Sequence, residues 1–153
     1  MDITLRPPTH GDAEACGRIM SEAFVEIANQ HGFPPDFPSA QVGIERATAF
    51  IAEPSIFGVV AEIDGRIVGS NFLSEGDPIR GIGPITVDPS VQGGGVGRQL
   101  MQAVIERARG ATGARLVQDA FNTGSYSLYA SLGFDRERTP SAHARHAALP
   151  ADF

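Results

Sequence analysis

The chain has 153 residues, enough for one domain with a sizeable core, and its 42% hydrophobic and 20% charged residues are those of an ordinary globular protein. A net charge of −6 with no lysine at all argues against a basic nucleic-acid-binding surface. No apolar run approaches the roughly 20 residues of a membrane helix, and Met1-Asp2-Ile3-Thr4 has no basic stretch leading into an apolar one. The expected compartment is the cytosol, with neither nucleic acid nor membrane as partner.

A short first strand over 3–6 is stopped by Pro7-Pro8. Thr9 with Asp12 three residues on resembles a capping box, and a helix follows to about Gln30. Cys16 is the single cysteine, so no internal disulfide or thiolate cluster can form. It falls in a helical stripe with Ile19, Met20, Ala23, Phe24 and Ile27, which predicts a buried structural thiol instead of a nucleophile. His31-Gly32-Phe33-Pro34-Pro35-Asp36-Phe37-Pro38 reads as a stiff aromatic loop, and a weaker helix covers about 41–52.

Residues 56–63 are apolar and β-branched, Asp64-Gly65 is a two-residue hairpin signal, and 66–74 returns. Residues 81–87 make the third strand of this meander. A glycine-rich turn, a helix over about 95–109, a strand over 114–120 and a short helix over 123–131 complete the pattern. The order βαα, three meandering strands, then α, β, α, β predicts a mixed α/β fold with a partly antiparallel central sheet flanked by helices.

The turn Val87-Asp88-Pro89-Ser90-Val91-Gln92-Gly93-Gly94-Gly95-Val96-Gly97-Arg98 joins a strand to a helix. Glycines there let the backbone approach a ligand closely. The opening amides of the helix lack intrahelical partners and carry the positive end of its dipole, which makes a phosphate or pyrophosphate site. A Walker A loop needs a lysine, and a Gly-x-Gly-x-x-Gly fingerprint fails at Arg98 counted from Gly93 and at Leu100 counted from Gly95.

Gln92-x-x-Gly95-x-Gly97 behind Val87-Asp88-Pro89 resembles the acetyl-CoA signature of the GNAT N-acetyltransferase superfamily. Asn122-Thr123-Gly124-Ser125-Tyr126-Ser127-Leu128-Tyr129-Ala130-Ser131-Leu132-Gly133-Phe134 resembles that family's second hallmark, in the expected order. The resemblance covers residues 1–134 as an acyltransferase domain, with 135–153 an atypical C-terminal segment. It implies acetyl-CoA as co-substrate, without a metal, and transfer of its acetyl group to an amine by direct attack in a ternary complex. Gln92, Gly93, Gly94, Gly95, Val96, Gly97 and Arg98 would hold the pyrophosphate. Ile85, Thr86 and Val87 would pair with the pantetheine arm, with an N–H near Val87 polarising the thioester carbonyl. Asn122 would bond the pantetheine, a role compatible with capping the next helix.

Helical geometry gives Tyr129 a separate argument. Ser125 and Tyr129 are four apart and share a face, so both are expected to look toward the cofactor while Leu128 and Leu132 bury themselves. A phenol, with an ordinary pKa of about 10, is protonated at neutral pH and can donate to the departing sulfur as general acid. Tyr126 lies on another face. No carboxylate stands in 81–87 to serve as base, which leaves Glu75, Asp77, His31, Gln118 and Asp119 as candidates acting through water. His143 and His146, three apart, lack a third ligand and read as tail residues.

The acceptor is expected to be a small-molecule amine or a peptide, with Phe33 and Phe37 as candidate pocket walls. Residues 141–150 lack β-branching and alternation, so the final strand pair of the family is expected to be atypical or incomplete. A tail, a longer chain, or a homodimer that pairs exposed sheet edges would each account for this. The competing function is a non-catalytic acyl-CoA-binding or regulatory module.

Overall fold

The computed structural model describes residues 2–32, 39–119, 123–138 and 144–149; for 117–119, 123–126, 135–138 and 144–149 only the backbone is described. Within them one sheet of eight strands is ordered β1-β2-β3-β4-β6-β8-β7, with β5 paired to β3 beside this path. The strands are β1 Thr4–Arg6, β2 Ile56–Ile63, β3 Arg66–Ser74, β4 Ile79–Ile82, β5 Thr86–Val87, β6 Gly113–Asp119, β7 Asp135–Arg138 and β8 Ala144–Leu149. The helices are α1 Ala13–His31, α2 Ala40–Ala52, α3 Val96–Ala108 and α4 Thr123–Ser131. All pairs are antiparallel except β4 with β6. The partly antiparallel α/β architecture is as the element order predicts.

Helices cover both faces because both faces of β2 and β3 are apolar. Val59, Ala61 and Leu73 meet Leu100, Met101 and Val104 of α3 on one side, together with Tyr129 and Phe134. On the other side Val60, Ile67 and Phe72 meet Cys16, Ile19 and Met20 of α1 and Ala47 of α2. Cys16 is fully buried, and burial pushes its thiol up to about 11, which suits the structural role its stripe predicts. Helices α1 and α2 cross at Gly17 and Gly43, where a Cβ on either residue would strike the backbone of the other helix. At the start of α1, Thr9 N–H donates to Asp12 Oδ2 (2.7 Å), and Arg6 reaches both Asp12 (2.7 Å) and Glu62 (2.7 Å).

Two differences from the sequence reading matter. The predicted strand over 81–87 is two strands. Leu73 pairs with Ile82 and Ser70 with Thr86, so two residues of β3 face three of the other chain segment, and the extra residue is a β-bulge. The C-terminal pair, expected to be atypical or incomplete, does form: β8 lies between β6 and β7, pairing with β6 along its length and with β7 over 145–148. Ladder hydrogen bonds on two edges outweigh the weak strand propensity of an alanine-rich segment.

Candidate active site

The bulge creates the site. β4 stays parallel to β6 over 79–82, but β5 pairs only with β3, while β6 continues along β8 to Asp119. The sheet therefore splits beyond Ile82, between β5 and the end of β6. Asp88 N–H bonds the Val68 carbonyl (2.8 Å), so strand alternation turns the N–H and C=O of the preceding residue, Val87, away from β3. The Val87 carbonyl accepts from Gln92 Nε2 (3.1 Å), and the Val87 N–H points the same way.

Asp88 anchors the turn that follows. Its carboxylate accepts from Ser90 N–H (2.9 Å) and Oγ–H (2.8 Å) and pairs with Arg66 (2.8 Å). Burial would raise this carboxyl, but those hydrogen bonds and the ion pair outweigh it and hold it below its ordinary range. Gly93 and Gly95 adopt positive φ (86° and 90°), a conformation costly for other residues. Gly95 is the N-cap of α3 and supplies no capping side chain, so the amides of Val96, Gly97 and Arg98 open the helix uncapped by any side chain.

These elements and α1 enclose a groove of about 730 Å³. Of the residues the sequence singles out, Ile85, Thr86, Val87, Gln92, Gly93, Gly95, Val96, Gly97, Arg98 and Tyr129 line it. Gly94 is not among the lining residues, and its N–H bonds the Val91 carbonyl (3.3 Å). Asn122 lies outside the described residues, as do Phe33, Phe37 and His143; so do the side chains of Ser125, Tyr126, Gln118, Asp119 and His146. Arg98 Nη2 donates to Ser131 Oγ (3.0 Å), tying the start of α3 to the end of α4.

Tyr129 stands at the seam between groove and core. It is 6% exposed and meets Phe134 edge-on at 6.3 Å between centroids. Tyr129 lines the groove as expected, while Leu128 and Leu132 pack against the core only half-buried, and Leu128 lines the groove as well. Contact with Phe134 draws the tyrosine ring inward.

The opposite wall is the end of α1, through Ala23, Phe24, Glu26, Ile27, Gln30 and His31. Of these, only His31 is a sequence candidate for the chemistry. The signal was present in the four-residue spacing 23-27-31 and 26-30, which marks a face continuing past the core stripe. Glu75 stands elsewhere, accepting from Arg107 Nε (3.0 Å) and Nη2 (3.1 Å), and neither it nor Asp77 lines the groove.

Known proteins bear on this geometry. The model of the Acetyltransferase (GNAT) family matches residues 16–134. The N-alpha-acetyltransferase RimI of Mycobacterium tuberculosis is 30% identical over 138 residues, covering 88% of this chain and 79% of that protein. A mycothiol acetyltransferase of Thermomonospora curvata is 40% identical over 80 residues, covering 50% of this chain and 27% of that protein. The chain spans half the length or less of the mycothiol acetyltransferases it matches. In fold it resembles the PaiA N-acetyltransferase of Thermoplasma acidophilum, solved in complex with coenzyme A (TM-score 0.82, 18% identity, 96% of this chain and 98% of that one). The family model spans the split strand, the glycine turn and α4, and the chain belongs to the GNAT acetyltransferase family.

Proposed function

We propose that this chain is a cytosolic N-acetyltransferase that moves the acetyl group of acetyl-CoA to an amine by direct attack in a ternary complex, with Tyr129 as general acid. The observation that carries this reading is one groove lined by three things: the uncapped start of α3, the outward-turned edge of Val87, and Tyr129. The α3 amides and Arg98 suit a pyrophosphate, whose charge the helix dipole favours. The residues fit such a ligand: Gly97 has no side chain where one would face the groove, and no side chain caps the amides behind it.

Ile85, Thr86 and Val87 would pair with the pantetheine arm along the open strand edge, and the family resemblance implies Asn122 and Ser125 as further cofactor contacts. The Val87 N–H would polarise the thioester carbonyl. As the amine nitrogen bonds to the acyl carbon, the C–S bond breaks, and the Tyr129 hydroxyl gives its proton to the sulfur. The acceptor is a primary amine, on a small molecule or a peptide. The names of the relatives divide between an N-alpha-acetyltransferase and mycothiol acetyltransferases, and what they share is acetyl transfer.

Calorimetry with millimolar coenzyme A, followed by a thiol-release assay with acetyl-CoA and a panel of primary amines, tests the reading. Binding heat and amine-dependent thiol release are expected. Binding without any thiol release would favour the non-catalytic acyl-CoA-binding module, and no binding heat would overturn both.

A further inference from the structure

We propose that Ser131 is a positioning residue of the donor site: its hydroxyl holds the Arg98 guanidinium ready for a phosphate of the acyl donor. The inference rests on the acetyl-transfer reading above. Two contacts bring the end of α4 beside the opening of α3. A Cβ at Gly97 would lie 3.5 Å from Leu128 Cδ2, and Arg98 Nη2 donates to Ser131 Oγ at 3.0 Å. The direction of that bond is fixed. Ser131 Oγ also stands 2.6 Å from the Leu128 carbonyl oxygen, which only accepts, so the single hydroxyl hydrogen goes there. A guanidinium only donates, and the lone pairs of the serine oxygen are left to receive it.

Arg98 differs from most arginines of this chain. Arg6, Arg18, Arg66, Arg107 and Arg109 each pair with a carboxylate, and Arg80 donates to the Glu75 and Asp77 carbonyls. Among the described residues Arg98 has no carboxylate partner; Ser131 takes one of its N–H donors and leaves the others. Its charge is therefore not neutralised by a neighbouring side chain, and it lines the groove. It is also the third residue of α3, so its own main-chain N–H is one of the amides that open the helix without an intrahelical partner. One residue thus offers a phosphate both an amide and a cation, and a guanidinium fork can meet two phosphate oxygens at once.

Both side chains are exposed, so an untethered arginine here would sample many rotamers and lose that freedom when a ligand stilled it. The bond to Ser131, itself anchored on the Leu128 carbonyl, orders the guanidinium before the ligand arrives and lowers that loss.

The test is calorimetry with coenzyme A on the full chain, comparing wild type, Ser131→Ala, Ser131→Thr, Arg98→Ala and the Ser131→Ala/Arg98→Ala double variant. Ser131→Ala is expected to weaken binding about fivefold and Arg98→Ala about thirtyfold. Ser131→Thr keeps the hydroxyl and should keep the affinity. With Arg98 already replaced by alanine, removing the serine hydroxyl should cost nothing further, because it acts only through the guanidinium. Every variant should give the wild-type circular dichroism spectrum, since neither position is buried. A Ser131→Ala loss that persists in the absence of Arg98 would assign the serine to holding α4 together, and unchanged affinity in Ser131→Ala would remove the ordering role; either overturns the proposal. Dephospho-coenzyme A, which lacks the ribose phosphate, names the phosphate. The same fivefold loss with it, the result expected from the place of Arg98 in α3, puts the contact on the diphosphate; a loss confined to coenzyme A puts it on the ribose phosphate. No binding of coenzyme A by the wild type would remove the acetyl-transfer reading itself, and this proposal with it.

Discussion

The two walls of the groove are built in different ways. The donor wall is local: a strand end, a glycine turn and a helix start lie within 86–98, and one short hydrogen-bonded stretch fixes their conformation. The opposing wall is remote: the last two turns of α1 reach the groove only because the helix is seated at its other end. Arg6, Asp12 and Glu62 tie its start to β1 and β2, and the Gly17–Gly43 contact locks it against α2. Binding chemistry can thus be concentrated in a few residues on one side, while on the other it depends on how a whole helix is held.

The sharpest way to test that contrast is at Tyr129. Tyr129→Phe should lower kcat about 10²-fold with coenzyme A affinity unchanged. The ring keeps its packing against Phe134, so circular dichroism should still report a folded protein. A turnover loss accompanied by loss of that folded signal would mean the hydroxyl matters to the fold instead of the reaction.

A smaller effect is expected within the donor wall. A Cβ at Gly97 would stand 3.5 Å from Leu128 Cδ2 and 3.7 Å from Val87 Cγ2, ordinary contacts that the fold can accept. Gly97→Ala should therefore stabilise α3 by up to about 1 kcal/mol. The same methyl group fills space beside the α3 amides and should weaken coenzyme A binding about tenfold, or about 1.4 kcal/mol. Opposite signs in melting and calorimetry would mark a glycine kept for the ligand; a stabilised variant with unchanged affinity would not.

The smallest effect belongs to the seat of the opposing wall. Hydrogen bonds from Arg6, opposed by burial, lower the Asp12 carboxyl from 3.8 to about 2. A carboxyl depressed in the folded state contributes stability that is whole above 3.8 and lost as pH falls through about 2. Asp12→Asn should melt below the wild type at neutral pH, and the gap should close as both are acidified toward pH 2, read by circular dichroism. A gap independent of pH would assign the loss to packing.

Much of this was legible residue by residue. The hairpin of β2 and β3 and helix α4 stand where alternation, Asp64-Gly65 and the 123–131 pattern put them, because those signals act over a few neighbouring residues. The bulge after Ile82 was not legible: an extra residue is defined only against the partner strand. The strand at 144–149 was missed for a related reason, since pairing on both edges supplies what its side chains do not.

What the sequence determined by itself is the donor wall and the family to which it points. Glycines with positive φ and an unclosed helix start are properties of consecutive residues, readable without any distant contact. Only the tertiary structure decided where the sheet splits and which side chains face Tyr129 across the gap. Strand register and helix seating depend on contacts between residues far apart in the chain, and a periodic pattern names a face without saying what it will meet.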